Sequence, residues 1–584
     1  MLLCLAVGPD DDAEHLQREP EHECQAKRAG TAPEKQHPGV LGRDMRHRDV
    51  VHEEKKCDDK DRIHRQAGGR DVFVFRLLHD ALKQGRAHPG CPCKIPADFA
   101  AAAPAHAYAM IALRCVVLAG LATSLAPFSS GAEAVAGRIL VRNGTLFTLR
   151  SDETEPRTGY LLAGDDGRIL RVGYGDPPPD IRAAQVVDAA GKFVMPGFVS
   201  AHCHIYQAVM RGLATDQALG GWLGVIRPYI YGTPPGDRYF ETLSGCFDLL
   251  RHGVTTAFNF NDGNGHPELD TEAFRAELAS GMRFVHGYCL PVRGTRETRL
   301  SDFEAFYAHV RAAPKGPTFL GVALGGYSCV ADDKDYAMTE GGIMSRYGLY
   351  NQAHYLEPAD PKQVSAQRAR FDWFSDSGEL GPRLSFGHLV HADDAILGRI
   401  AAAGAGMVWN PLSNGRLASG IVDIPKIMRL GIRIGMGVDG QASADVADPF
   451  ENMRTGLYLV RAQSEDPSLL QPRDVLRFHT LGSADVIGVA DRVGSLEAGK
   501  FADFLIIDPH SMDTGPVFDP YGTLVLACGT PNIEAVYVAG RIIVDHGNCV
   551  SPEFARVSAE AIRRIEKLRA TMVAPNSAAP APRK

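Results

Sequence analysis

Val194-Met195-Pro196-Gly197-Phe198-Val199-Ser200-Ala201-His202-Cys203-His204 reads as a buried strand that ends in two histidines separated by one residue. Side chains alternate along a strand, so His202 and His204 point to one side and Cys203 to the other. Two imidazoles converging at the C-terminal end of a strand make half of a metal site, and that end is where barrel enzymes keep their chemistry. An H-x-H alone is also what a surface strand carries, so the reading depends on ligands supplied elsewhere.

Downstream, strand-like and helix-like stretches alternate, the signature of a parallel α/β architecture. After the opening strand come Gly253–Phe258, Arg283–Gly287, Phe319–Leu324, Gly348–His354, Leu384–His388, Gly406–Asn410 and Arg433–Asp439. Amphipathic stretches such as Phe240–Arg251 and Asp394–Ala403 lie between them. Eight strands are the number a (β/α)₈ barrel needs, and residues 195–495 are assigned to it. Glycine-punctuated β runs flank this middle: Ile139–Gly144, Tyr160–Leu162, Arg168–Gly173 and Ala184–Asp188 before it, Ala502–Asp508, Ile533–Gly540 and Arg541–Val544 after it. They predict one small β domain built from both ends, 137–194 and 496–548. Residues 549–584 read as a helix followed by a disordered tail.

The first 109 residues are polar, rich in His and charged residues, and nearly without hydrophobic periodicity, as a disordered or non-native extension is. Met110 begins a second pattern. Arg114 precedes the apolar run Val116–Ala122, and small residues follow at Ala132-Glu133-Ala134 and Ala134-Val135-Ala136. Residues 110–136 thus read as a signal peptide too short to span a membrane stably, with a periplasmic or secreted product if Met110 is the start and a cytoplasmic one otherwise. A linker helix is the alternative. The net charge of −8, with no basic tract in the body, argues against nucleic acid as the main partner. The twelve cysteines are scattered and none forms a C-x-x-C pair, which disfavours a disulfide framework or a cysteine zinc site in a chain this long.

Several barrel strands end in a residue able to bind metal or move protons: His202 and His204 on strand one, His354 on strand five, His388 on strand six and Asp439 on strand eight. Three neutral imidazoles and a carboxylate suit Zn²⁺, with Fe²⁺ the alternative, and leave a position for water. Glu357 follows His354 by three residues, where the loop brings its carboxylate back over the metal.

From about Ile139 to Asn548 the chain resembles the amidohydrolase superfamily, in its deaminase and chlorohydrolase branch. The resemblance rests on Pro196-Gly197-Phe198 through His204, continued by Met210-Arg211-Gly212-Leu213 and Trp222-Leu223, and on His354-Tyr355-Leu356-Glu357. Gly387–His391, Asn410–Asn414, Gly437–Gly440 and Gly494–Asp503 complete it in the family's order. The resemblance implies a distorted (β/α)₈ barrel carrying a composite β-sandwich. It implies one divalent metal held by His202, His204, His354 and Asp439, which lowers the pKa of its water from 15.7 toward about 7. The resulting hydroxide attacks an electron-poor ring carbon, Glu357 protonates the adjacent ring nitrogen, His388 orients the hydroxide and steadies the oxyanion, and Asp439 takes the water's proton. The implied substrate is a small nitrogen heterocycle (purine, pterin, pyrimidine or triazine) that loses ammonia, and a homo-oligomer is suggested. Loss of chloride or cleavage of an amide or cyclic amide is the alternative chemistry. A non-catalytic barrel used for binding or assembly is the remote one, disfavoured because all four ligands and Glu357 are present.

Three departures refine these expectations. Phe319–Leu324 lacks the lysine of binuclear relatives, so one metal is expected. The places where adenosine-type deaminases carry a nucleoside-binding Glu and His fall, by ungapped matching, on Gly220 and Leu324. Gln207 stands where guanine-type deaminases and triazine chlorohydrolases place a heterocycle-binding Gln, and together with Trp222 it is the expected substrate contact, which tilts the expectation toward a bare ring.

Overall fold

The computed structural model describes residues 135–573, except 154 and 263–265. The 1–109 extension, the leader reading of 110–134 and the tail from 574 lie outside the described residues. Val135 and Ala136 are described, and they already pair with Ile181 and Arg182. No helix among the described residues is long and apolar enough to cross a membrane, and the six described cysteines are buried and free.

Five strands precede the barrel: β1 (Val135–Leu146), β2 (Arg157–Ala163), β3 (Ile169–Tyr174), β4 (Ile181–Asp188) and β5 (Phe193–Pro196). The barrel strands are β6 (Phe198–Cys203), β7 (Val254–Asn261), β8 (Arg283–Tyr288), β9 (Phe319–Gly326), β10 (Asn351–Tyr355), β11 (Leu384–His388), β12 (Gly406–Trp409) and β13 (Arg433–Met436). All run parallel in sequence order, with helices on the crossovers. β14 (Phe504–Ile507), β15 (Ile533–Val538), β16 (Arg541–Asp545) and β17 (Asn548–Cys549) return to the first five and join them in one nine-stranded hydrogen-bonded sheet. The two chain ends meet where β5 pairs antiparallel with β14, Met195 opposite Leu505. Ile139, Val141, Leu161, Phe504 and Tyr537 form this sheet's core.

The opening stretch, expected to be one strand, is two. Phe193–Pro196 belongs to the small sheet and Phe198–Cys203 to the barrel. The break falls at Gly197, where a Cβ would collide with the Thr255 side chain, so only glycine lets the chain pass from one sheet to the other. The barrel boundary therefore lies two residues beyond the expected one.

Local sequence accounts for the flanking helices. Asp394–Ala403 starts on Asp393, whose carboxylate accepts from Ile396 N, and stops at Gly404 with φ +67°. Pro449–Ser464 starts on Asp448, which accepts from Phe450 N and Glu451 N ahead of a proline at its first position. Val199, Ala201, Phe258, Phe260, Val285 and Val408 fill the barrel lumen, with Ala484, Val486 and Val493 closing its far end. The barrel is tied to the small sheet by Arg283 on β8, fully buried, which donates to Asp503 through Nε at 2.5 Å and Nη2 at 2.9 Å.

Candidate active site

His202 owes its position to an irregularity. The register of β6 on β7 slips between Ser200 and Cys203, so β6 has one residue more than its partner there. Such a bulge re-aims a side chain. It lets Val199 and Ala201 pack in the lumen while His202 and His204 still converge, their ring centroids 4.9 Å apart. The seam between β6 and β13 is closed by Asp439 N–H to His202 O (3.1 Å) and Val438 N–H to Ser200 Oγ (3.1 Å). Gly437 makes this approach possible, because a Cβ there would sit 2.7 Å from His202 Cβ. The seam brings Asp439 Oδ1 to 3.3 Å from His202 Nε2 and 3.5 Å from His204 Nε2.

The protonation pattern of the imidazoles follows from their other partners. Gln352 donates through Nε2 to Ala201 O (2.7 Å), so its Oε1 accepts from His202 Nδ1–H at 2.5 Å. His204 Nδ1–H donates to Phe260 O at 2.9 Å. Both rings therefore turn a bare Nε2 inward, and His202 Nε2 is buried without a hydrogen-bond partner among the described residues. His354 stacks on His204 (5.3 Å, 14°) and lies 4.8 Å from His202. Burial, then the neighbouring imidazoles, drives His204 down to about 3 and His354 well below the usual histidine range, so both stay neutral. Burial acts to raise Asp439, whereas positive charge at His202, His388 and His204 holds it well below the carboxylate range; with the imidazoles neutral, a cation bound among them would supply that charge. Asp439 Oδ2 accepts from Ser413 Oγ at 2.5 Å.

Neutral, oriented imidazoles around an ionised carboxylate are the donor set a divalent ion requires, and the orphaned Nε2 of His202 is where such an ion fits. The ligating atoms of His202, His204 and Asp439 lie within 4.8 Å of one another, as do those of His202, His354 and His388 and those of Glu357, His388 and Asp439. The geometry thus gathers all six sequence-derived residues and leaves His388 as near to the cluster as His354.

Two of these residues, His388 (φ +69°) and Asp439 (φ +56°), are bent into the left-handed region, as is Leu356 (φ +54°) between His354 and Glu357. Residues without glycine's freedom occupy that region at a cost, and such bends concentrate at working sites. The turn at Leu356 carries the chain from His354 back to Glu357, whose Oε1 lies 3.6 Å from His388 Nδ1. Burial pushes the Glu357 carboxyl up to about 7 despite the opposing influence of His388. His388 Nδ1 bonds Asn414 Oδ1 at 2.8 Å.

These groups floor a cavity of about 290 Å³, small enough for a single substituted heterocycle. Leu219, Trp222, Leu223 and Ile230 form an apolar wall; Tyr231, Asp262 and Tyr327 stand toward the mouth. Of the two expected substrate contacts, Gln207 presents an amide oxygen without a partner, whereas Trp222 spends its Nε1–H on Ala442 O at 2.9 Å and offers only its ring. Leu324 is not at the cavity. It is fully buried in the outer core, because β9 runs on to Gly326, and the residue that reaches the cavity from this strand is Tyr327, stacked on His354 (5.6 Å, 7°). Gly220 is exposed on the helix Leu219–Gly232. Gln352, Tyr206 and Tyr327 were not reached from sequence, although Gln352 carried a signal, two residues before His354 on one face of β10; Ser413 and Asn414 were reached only as members of the segment Asn410–Asn414, and Asp262 only as the first residue of a pocket loop, none with a role.

The amidohydrolase family matches residues 193–543. The chain is 30% identical over 419 residues to a 5-methylthioadenosine/S-adenosylhomocysteine deaminase of Syntrophobacter fumaroxidans, covering 70% of this chain and 93% of the relative. It is 27% identical to a 5'-deoxyadenosine deaminase of Methanosarcina barkeri, covering 74% and 98%. Among solved structures it resembles a zinc-bound adenosine deaminase of Xanthomonas campestris, with TM-score 0.67, 22% identity and coverage of 74% and 99%. It also resembles an atrazine chlorohydrolase of Arthrobacter aurescens, with TM-score 0.66, 20% identity and coverage of 73% and 100%.

Proposed function

The chain belongs to the amidohydrolase family, and from that premise we propose that it is a zinc-dependent hydrolytic deaminase of a 6-aminopurine nucleoside or a close relative. The observation that carries this reading is Glu357: a buried carboxyl raised to about 7, on the cavity floor, beside His388 and the imidazole–carboxylate cluster. A group half-protonated near neutral pH is suited to give a proton to a ring nitrogen as the amino group leaves. His202, His204, His354 and Asp439 would hold the metal, which supplies Lewis acidity and a water that ionises near neutral pH.

The chain's own groups do the rest. Asn414 anchors His388 through Nδ1, which leaves Nε2 to orient the attacking water. Asp439, kept ionised, takes that water's proton while Ser413 fixes its second oxygen. Leu219, Trp222, Leu223 and Ile230 exclude bulk water from the flat faces of the ring. The relatives' names favour a nucleoside over the bare ring that Gln207 and Gly220 favoured on sequence grounds.

The test is ammonia release by the zinc-loaded full chain offered adenosine, 5'-methylthioadenosine, guanine and a chlorotriazine. Ammonia from the two adenosines is the expected result. No ammonia, with zinc bound and chloride released from the triazine, would replace deamination by dechlorination.

A further inference from the structure

Asp262 stands one residue past the end of β7 and borders the cavity. Alternation along the strand explains its direction. Asn259 and Asn261 face outward, donating to Glu277 and Asp270 on the helix Pro267–Ser280 at 2.6 Å each. Phe260 faces inward, its ring 5.3 Å from His204 and 4.3 Å from His354. Asp262 repeats the inward direction two residues on, ~7 Å nearer the mouth at the usual rise of a strand. It therefore meets the part of a bound molecule that lies about a ring's breadth from the metal ligands.

The carboxylate is short of partners. Among the described residues its one side-chain hydrogen bond comes from Tyr327 Oη, at a long 3.2 Å. Tyr206, fully buried on the same cavity beside Gln207, has an Oη that meets no hydrogen-bond partner in good geometry among the described residues. Burial raises the pKa of Asp262 despite the opposing charges of Arg238 and Arg227, so its carboxylate gains from further hydrogen-bond donors. Glu357 and Asp439, the other carboxylates lining the cavity, are both in the floor cluster.

We propose that Asp262 is a specificity-determining residue that accepts hydrogen bonds from hydroxyls of a neutral, sugar-like substituent on the heterocycle, with Tyr206 as a further polar contact. This rests on the deaminase reading above. Two carboxylate oxygens match hydroxyls on adjacent carbons, whereas a substrate without them leaves a desolvated carboxylate unmet, and sites of that kind reject such analogues strongly. Asp262 does from β7 what Gly220, exposed on its helix, has no side chain to do.

The experiment compares adenosine with 2',3'-dideoxyadenosine on the zinc-loaded full chain, for wild type, Asp262→Asn and Asp262→Ala. Wild type is expected to favour adenosine in kcat/KM by about 10- to 100-fold, the scale of hydrogen bonds to a charged group. Both variants are expected to lose most of that preference while dideoxyadenosine turnover shifts less than about threefold. A preference that survives in both variants overturns the assignment, as does an equal loss on both nucleosides with zinc content and melting temperature unchanged. If wild type releases ammonia from neither, the deaminase reading fails by itself. Calorimetric titration of the same pair then decides Asp262: tighter binding of adenosine that disappears in Asp262→Asn supports it, and equal binding in wild type overturns it.

Discussion

Two buried polar layers on the same strands differ in what they leave undone. Between β7, β8 and the helix Pro267–Ser280, Glu277 is fully buried and both its oxygens are used, Oε1 by Asn259 at 2.6 Å and Oε2 by His286 Nδ1 at 2.7 Å. Glu379 is treated alike, accepting from Ser328, Ser377 and Asn351 at 2.7–2.8 Å. Inside the barrel mouth, His202 Nε2, His354 Nδ1, Tyr206 Oη and Gln207 Oε1 are equally buried and have no partner among the described residues. The outer layer leaves His286 Nε2, Asn261 Oδ1 and Asn351 Oδ1 unmet too, but each of those side chains is held through its other polar atom by a carboxylate. That layer holds the frame, while unmet atoms that line a cavity are left for ligands. The same residue types are architecture on one side of a strand and chemistry on the other.

The comparison breaks first at Glu357. Changing it to Gln keeps the shape and removes the proton, and kcat should fall by about 10²- to 10⁴-fold while metal content by mass spectrometry stays at the wild-type level. Near-full activity would move Glu357 out of the chemistry.

In the matched layer the cost should be stability instead. Burial opposes protonation of His286, but Glu277 holds its pKa above the usual value. Glu277→Ala would leave His286 Nδ1–H and the Asn259 amide without their acceptor, a loss of about 1–3 kcal/mol for each in denaturant unfolding, with kcat per folded molecule nearly unchanged. Equal stability of the variant would show that this layer is not the frame.

A subtler test sharpens the contrast. Burial, then the charge of Glu340, pushes Glu379 well above the carboxylate range, and burial raises Glu340 to about 7. The folded chain thus holds protons that the unfolded chain has released above pH ~4.5. Stability from this pair is present at low pH and declines as pH rises through 7. Glu379→Gln should flatten the fall in melting temperature between pH 6 and pH 8, on the order of a few degrees. An unaltered slope would place the pH dependence elsewhere.

Most of the barrel was legible because each strand is a short apolar run ending in a polar residue, and the eight runs are found in the expected order. The metal-binding cluster was legible for the same reason, since His202, His204, His354, His388 and Asp439 all mark strand ends. What escaped depends on distant partners. Phe193–Pro196 and Phe198–Cys203 look like one strand because both are apolar; only Leu505 facing Met195 and Val254 facing Phe198 divide them. Gln352 earns its role from a histidine 150 residues away, and Ser413 from an aspartate 26 residues on. Leu324 was mistaken for a cavity position because the length of β9, unlike its start, has no sequence marker.

The joining of the two chain ends has a consequence during synthesis. β5 and its partner β14 leave the ribosome roughly three hundred residues apart, about 15–60 s at ordinary elongation rates. Throughout that interval β5 has an open hydrogen-bonding edge, the feature by which unfinished chains pair with one another. Slower elongation between Pro196 and Phe504 lengthens the exposure, and holding that edge until β14 arrives is work for a chaperone. The length of that interval is set by the separation of the two strands in the sequence, whatever the stability of the finished barrel.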